Sequence, residues 1–431
     1  MKPKYFVYLR YMIALIFAAL ILSAFFTSFY PLNLLDWQVI PVLQCVLIYP
    51  SVAALSVLGA ILLVTLIFGR IYCSTLCPLG LLQELTLFLI KPFQNKKKRP
   101  AYQSHSAWHY VLAAILFGFM LGGCALAIRL FDPYSVSGNF FTFGYWGLAF
   151  VTLVILLVVF KRRFFCTNIC PVGALLGLIS KFSLFKINID KKSCVSCGLC
   201  AKKCPTDSID YTNKTVNNTT CIKCFKCLNT CHGNFITYGI SPQPQVNFNP
   251  SRRKFIVGAL ALGALAGAYK AGIDFTKTTM QKIKNVIIPA GGKNPQEFAS
   301  RCLNCNLCVA RCPAKIIKKA DAEYPVVHLD YSDNFCQYNC NECARVCPSG
   351  ALAKLSLTEK QNTQIAMAIV DEDKCIECGV CAHICPKQVI EAGFGQKAQI
   401  DASGCIGCGA CAHNCPVEAI RIAAIARQRQ L

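Results

Sequence analysis

Histidine and acidic side chains are both scarce here. Six histidines and 21 aspartates and glutamates stand against 44 lysines and arginines in 431 residues. None of the histidines lies deep in an apolar run; His109 sits at the edge of one. A b-type haem inside a membrane bundle takes its axial histidines from the helices, so no haem is expected. No Walker A loop, dinucleotide-binding glycine fingerprint or Ser/His/Asp signature stands out, and Gly291-Gly292 and Gly404-x-x-Gly407 read as loop glycines. No nucleotide and no substrate-transforming centre is therefore expected, and the catalytic residues are unknown. No cleavable N-terminal signal peptide is expected either: the first apolar run is long, and its exit Phe29-Tyr30-Pro31 has no small-residue cleavage site. The acid deficit leaves a formal net charge of +23. Such a charge suits nucleic acid, but here it flanks apolar runs, where a positive cytoplasmic rim accounts for it.

The composition is 55% hydrophobic with a mean hydropathy of +0.45, too apolar for a purely soluble protein. Four runs near the ~20 residues of a membrane span are Tyr11–Phe29, Leu47–Gly69, Trp108–Ile128 and Phe141–Phe160. Basic residues gather on one side of them. Lys2, Lys4 and Arg10 precede the first span. Arg70, Lys91, Lys96, Lys97, Lys98 and Arg99 lie between the second and third, and Lys161, Arg162 and Arg163 follow the fourth. The opposite loops carry little beyond Arg129. The N-terminus, the central loop and the segment after the fourth span are thus expected in the cytoplasm.

Cysteine is abundant, and 24 of the 30 fall into six quartets. They are Cys194, Cys197, Cys200 and Cys204; Cys221, Cys224, Cys227 and Cys231; and Cys302, Cys305, Cys308 and Cys312. The others are Cys336, Cys340, Cys343 and Cys347; Cys375, Cys378, Cys381 and Cys385; and Cys405, Cys408, Cys411 and Cys415. Five of the six end in Cys-Pro. This is the ferredoxin run C-x2-C-x2-C-x3-C-P, whose thiolates hold [4Fe–4S] clusters, the fourth cysteine serving the other cluster of a pair. Structural zinc takes separated C-x2-4-C pairs, and cysteines packed into one loop cannot all form disulfides. Six quartets predict six [4Fe–4S] clusters. Sequential pairing of quartets would couple Cys204 to the Cys221 set, Cys302 to Cys336 and Cys375 to Cys405.

Short strands ending in aspartate precede three quartets: Lys186–Asp190, Ala368–Asp371 and Ala398–Asp401. Short helices are expected after Cys-Pro, at Pro386–Ile390 and Pro416–Ile420. A Pro/Asn-rich linker, Ser241–Pro250, separates two modules from four. It leads into Ser251-Arg252-Arg253-Lys254-Phe255-Ile256 and an Ala/Gly/Leu stretch to Tyr269. That pattern resembles a twin-arginine export signal, with Ala266-Gly267-Ala268 as a weak cleavage site; uncleaved, it is a fifth span.

Two further pairs share the motif C-x3-C-P: Cys73 with Cys77, after the second span, and Cys166 with Cys170, after the fourth. These four thiols are candidate ligands of a further metal or cluster, or redox thiols. Cys45 and Cys124 read as packing residues. His383 and His413, each two residues before a final cysteine, read as bystanders.

The expected fold is multi-domain, an α-helical four-span or five-span membrane bundle with α+β ferredoxin-like modules. Its parts are a membrane domain at 1–180, a two-cluster ferredoxin at 181–240, a linker at 241–290 and a four-cluster polyferredoxin at 291–431. Residues 1 to about 240 resemble the NapH-type membrane subunit of periplasmic nitrate reductase systems, through four spans, two C-x3-C-P motifs and a two-cluster ferredoxin. Residues from about 251 resemble the NapG-type partner, through the twin-arginine leader and four quartets, of which Cys336-x3-Cys340 carries one extra residue. The second quartet departs from the pattern at Cys231-His232. The resemblance implies a head-to-tail fusion in the bacterial inner membrane. It would oxidise quinol, contact membrane lipid and quinone, and pass electrons to a periplasmic reductase or cytochrome, with the first ferredoxin cytoplasmic and the C-terminal part periplasmic. Two other readings share the plan: an assembly or regulatory factor for a membrane or copper respiratory enzyme, and a relay confined to the cytoplasmic side.

Overall fold

A computed structural model describes residues 4–27, 37–48, 50–90, 108–233, 235–240, 252–279, 285–321 and 324–431. The lysines expected at 91–99, Lys2, the linker 241–250 and Ser251 lie outside them. The chain divides into two compact units, Met1–Gly122 with Ala127–Gly272, and Gly123–Leu126 with Ile273–Leu431.

The first unit opens with α1 (Lys4–Phe26), α2 (Val39–Ile48), α3 (Val52–Phe68), α4 (Tyr72–Thr75) and α5 (Pro78–Ile90). It continues with α6 (Trp108–Leu121), α7 (Leu126–Arg129, which begins at the boundary between the units), α8 (Pro133–Phe141), α9 (Tyr145–Lys161), α10 (Phe164–Asn168) and α11 (Pro171–Ser180). One described helix, over Tyr5–Phe26, is long and apolar enough to cross a membrane. The pair α8–α9 qualifies only as one span broken by a bend of 115°. The segments expected as second and third spans form α3 and α6, apolar but shorter. Gly69, at φ +81°, stops α3. A lone side chain there would also strike Lys223.

The first ferredoxin follows: β1 (Phe185–Ile189), α12 (Leu199–Lys203), β2 (Ile209–Asp210), β3 (Thr215–Val216), α13 (Lys226–Thr230) and β4 (Ile236–Ile240). β1 pairs antiparallel with β4, and β2 with β3. The module is bonded to the helices. Leu184 N–H donates to Leu66 O at 3.0 Å, and Tyr238 Oη to Phe68 O at 3.1 Å. Val7 of α1 joins a core with Ile187, Ile209, Phe225 and Leu228. A further helix, α14 (Arg252–Thr279), holds the arginine pair in its first turn. It passes close to α6 where both are small: a Cβ on Gly118 would lie 2.6 Å from Leu265 O.

The second unit strings together α15 (Pro295–Arg301), α16 (Leu307–Arg311), β5 (Ile317–Lys318), β6 (His328–Leu329), α17 (Glu342–Val346), α18 (Leu357–Gln361) and β7 (Thr363–Gln364). Then come β8 (Met367–Val370), α19 (Val380–Ile384), β9 (Ile390–Gly393), β10 (Gln396–Ile400), α20 (Ala410–His413), β11 (Ile420–Ala423) and β12 (Arg429–Gln430). Strand β8 pairs with β11 around the β9–β10 hairpin, repeating the β1–β4 plan of the first ferredoxin.

The strands appear where their aspartate stops place them, but the helices do not. Each short helix lies inside its quartet, ahead of the last cysteine, and the stretches at Pro386–Ile390 and Pro416–Ile420 are turns that enter β9 and β11. The cause repeats. Three residues beyond the last cysteine of each quartet that ends in Cys-Pro stands a residue with positive φ: Asp207, Lys315, Gly350, Gln388 and Glu418. A left-handed residue ends a helix before it can form a turn.

Candidate iron–sulfur sites

Each cluster loop is prepared by its flanks. The aspartate that ends a strand folds back on the loop: Lys192 N–H donates to Asp190 Oδ1 at 3.0 Å, and Ser403 N–H to Asp401 Oδ1 at 2.8 Å. Four residues on, the first cysteine bonds the same backbone, as with Cys405 N–H to Asp401 O at 3.1 Å. The second cysteine of five quartets is bracketed by two residues with positive φ. They are Ser196 and Gly198, Lys223 and Phe225, Asn304 and Asn306, Glu377 and Gly379, and Gly407 and Gly409. Alternating right- and left-handed residues turn successive N–H groups inward, the nest found around phosphates and Fe–S centres. The fourth cysteines receive further donors: Ser208 N–H to Cys204 Sγ at 3.4 Å and Ala419 N–H to Cys415 Sγ at 3.3 Å.

The cysteines gather across quartets, not within them. One shallow hollow is lined by Cys375, Cys378, Cys381 and Cys415. Its counterpart is lined by Cys405, Cys408, Cys411 and Cys385. A third has Cys336, Cys340, Cys343 and Cys312. Cys308 feels Cys347 together with Cys302 and Cys305, and Cys204 feels Cys221 and Cys224. This is the three-plus-one ligation of two-cluster ferredoxins. Among the described residues no three Cys, His, Asp or Glu groups converge tightly enough for a single metal ion; thiolates spread around a cubane need no such convergence. Burial raises the thiols, Cys408 to about 11 and Cys411 to about 12. A bound metal centre is what would ionise them. The residues therefore fit [4Fe–4S] clusters, which supply one-electron redox chemistry when bound.

The four sets of the second unit adjoin one another in succession. Cys308 of the first lies within the field of Cys343 of the second. Cys336 N–H of the second donates to Cys408 O of the third at 2.8 Å. Tyr331 stands at that junction, half-buried, its hydroxyl donating to Gly407 O at 3.0 Å. The third and fourth interlock through Cys385 and Cys415. The spatial order is therefore Cys302, Cys336, Cys405, Cys375, with the last two reversed relative to the chain.

The quartet with the extra residue has no positive-φ bracket around Cys340. A lysine stands in. Lys360, 3% exposed, donates from Nζ to Gln337 O and to Tyr338 O at 3.2 Å, and its charge acts on Cys336. A buried cation favours the more negative, reduced state of an adjacent centre. Lys360→Met is expected to lower the reduction potential of the cluster held by Cys336, Cys340, Cys343 and Cys312 by about 60 mV, a tenfold change for one electron. Potentiometric EPR reads this directly, and an unshifted potential would refute the role.

The C-x3-C-P pairs also meet. Cys73, Cys77, Cys166 and Cys170 are all buried, and Cys170 feels the other three. The arginines counted above as a cytoplasmic rim do something else: Arg10, Arg70 and Arg163 are 2%, 1% and 1% exposed. Arg70 Nη2 donates to Cys166 O at 3.2 Å, while Arg163 Nη1 donates to Cys73 O at 3.3 Å, each serving the opposite motif. Glu84 collects Arg10 at 2.7 Å, Arg163 at 3.0 Å and Lys226 at 2.9 Å. Burial alone would raise its carboxyl; the Arg10 hydrogen bond and the other cations hold it well below the usual carboxylate range. His109 lies 2.9 Å from Cys170 O. Of the other singled-out residues, Cys124 is buried, Cys45 half-buried, and His383 and His413 exposed. His413 packs on Phe335 at 5.5 Å.

Sequence reasoning missed the two arginines as parts of a site. The signal was present as a longer repeat, R-x-aromatic-C-x3-C-P-x-G, from Arg70 to Gly80 and from Arg163 to Gly173.

Comparison with known proteins gives the family. A 4Fe-4S binding domain matches residues 51–99 and 143–190, another 187–210, and 4Fe-4S dicluster domains match 217–316, 301–351, 335–389 and 368–422. An uncharacterized protein of Methanocaldococcus jannaschii is 31% identical over 188 residues, 41% of this chain and 68% of its own length. The chain belongs to this family of ferredoxin-type iron–sulfur electron-transport proteins. The putative electron transport protein YccM of Escherichia coli is 33% identical over 42% of this chain and 55% of its own length. The ferredoxin-type protein NapH of Haemophilus influenzae is 26% identical over 41% of this chain and 66% of its own. The chain thus spans little more than half of YccM, and each of these matches takes up less than half of the chain. The two segments matched by the same 4Fe-4S family, 51–99 and 143–190, contain no quartet, only the C-x3-C-P pairs.

Proposed function

We propose that the chain is a membrane-bound relay that takes electrons from quinol and carries them through six [4Fe–4S] clusters to a periplasmic reductase. The observation that carries this reading is the placement of the quartet cysteines. Five sets gather three-plus-one across quartets, those of Cys221, Cys302, Cys336, Cys375 and Cys405, and the successive sets of the second unit adjoin one another, which suits the passage of electrons from cluster to cluster. The NapH-type resemblance of the first part supports quinol as donor, and the NapH relative is named a ferredoxin-type protein. The NapG-type resemblance of the second part supports a fused, exported tail. In this proposal the four apolar segments of the first 160 residues all span the membrane, with α3 and α6 tilted little because they are short. The close seam of α14 on Gly118 supports its retention as a fifth span.

The test uses the full chain in liposomes. A quinol analogue should reduce the clusters within seconds, and a periplasmic-type acceptor should reoxidise them. Reporter fusions after residue 240 and after Leu431 should read opposite sides of the membrane. Clusters that stay oxidised under excess quinol would favour an assembly or regulatory factor, a reading supported by similarity to a protein named regulatory, NosR of Stutzerimonas stutzeri, 29% identical over 39% of this chain.

A further inference from the structure

We propose that Cys73, Cys77, Cys166 and Cys170 hold a seventh iron–sulfur cluster, fixed between the two helical halves of the first unit and facing the ferredoxin loop of Cys221. The argument begins with charge. Arg70 is 1% exposed, and among the described residues no carboxylate meets it. Its guanidinium bonds Thr219 O at 2.7 Å, Cys166 O at 3.2 Å and Cys73 Sγ at 3.9 Å. A buried cation is stable only beside a compensating negative charge. Nearby, Glu84 is already outnumbered by Arg10, Arg163 and Lys226. The four thiols are the groups left to supply that charge. A disulfide pair would not supply it, because its sulfurs are neutral. All four are free thiols here.

Size selects the occupant. Cys170 lies within the field of Cys166, Cys77 and Cys73, and among the described residues no three such groups converge tightly enough for one metal ion, as holds for the quartet thiols. Four thiolates spread in this way match a cubane better than a lone tetrahedral ion. The support is rigid. Gly80 and Gly173 let α5 and α11 press against the carbonyls of Cys73 and Cys166, where a Cβ would come within 2.5 Å. Gln83 Nε2 reaches Cys166 Sγ at 3.3 Å, a donor to a ligand sulfur. Arg70 also spans from this pocket to the carbonyl of Thr219, two residues before Cys221. The seventh site would therefore stand next to the cluster of Cys221, Cys224, Cys227 and Cys204, between the helices and the first ferredoxin.

The experiment compares the anaerobically purified full chain with Cys77→Ser/Cys170→Ser. The pair should lose about four iron and four sulfide atoms per chain relative to the parent, together with one reduced-state EPR signal, while the remaining signals keep their potentials. Equal iron in parent and variant, with an unchanged elution profile, would overturn the proposal. So would stoichiometric zinc or copper in the parent that disappears in the variant without loss of iron. Arg70→Met keeps every thiol and covers the case in which the double variant does not assemble. It should lower one potential and leave the rest, and no shift in any potential would count against the site. Because the readout is a difference, a wrong count of the six quartet clusters would show as a short iron total in both proteins.

Discussion

Cys415→Ala is expected to cost the protein the cluster of a different quartet. Cys415 ends the last motif, yet it shares a hollow with Cys375, Cys378 and Cys381. Removing it should strip about four iron and four sulfide atoms from that set, and leave the set of Cys405, Cys408, Cys411 and Cys385 intact. Double variants give the sign of the coupling, since residues serving one centre are not additive. Cys375→Ala/Cys415→Ala should lose no more iron than either single variant. Cys405→Ala/Cys415→Ala should lose about eight iron atoms. Anaerobic iron and sulfide assays decide it; the reverse pattern would mean that each quartet closes on its own cluster.

Glu84→Leu is the second large effect, and it acts on assembly of the first unit. Glu84 is nearly buried and accepts from Arg10 Nη1 and Nη2, both at 2.7 Å, and from Tyr11 Oη at 3.1 Å, besides its ion pairs with Arg163 and Lys226. Breaking a buried pair by removing one partner costs about 3–5 kcal/mol, because the other charge stays behind. Here three cations would stay behind. The variant should melt several degrees earlier or fail to accumulate; a melting temperature equal to the parent's would refute the role. The pH dependence follows from the depressed carboxyl. A group whose folded value is lowered stabilises fully above its unfolded value, about 4.3 for glutamate, and loses that contribution only as pH falls through the folded value. Between pH 8 and 5 the Glu84 hub should therefore contribute no change in melting temperature.

The parts of this molecule that chain order controls were readable in the sequence. Strands β1, β8 and β10 lie where short apolar runs meet Asp190, Asp371 and Asp401, because an aspartate that caps the next turn also ends the strand. The gathering of Cys415 with Cys375 follows from quartet spacing. The short helices were misplaced because Gln388 and Glu418 carry no mark of a left-handed backbone; neither is glycine or asparagine. The buried arginines were hidden for another reason. A count of positive charge treats Arg70 like Lys97, and only packing separates a side chain that bonds Cys166 O from one that faces water. The junction of Cys336 with Cys408 joins segments some 70 residues apart, and local patterning does not reach that far.

The crossed arginines have a consequence for folding. Each motif contributes its guanidinium to its twin: Arg70 steadies the loop of Cys166, and Arg163 that of Cys73. Neither half is therefore complete alone. Expressed as two separate polypeptides, 51–99 and 143–190 would each present two thiols and a cation without its carbonyl partner on the opposite motif, and would need to meet before either loop took its shape. The site thus works as a latch, closing only once both helical segments are in place, so a substitution in one segment is felt first in the other.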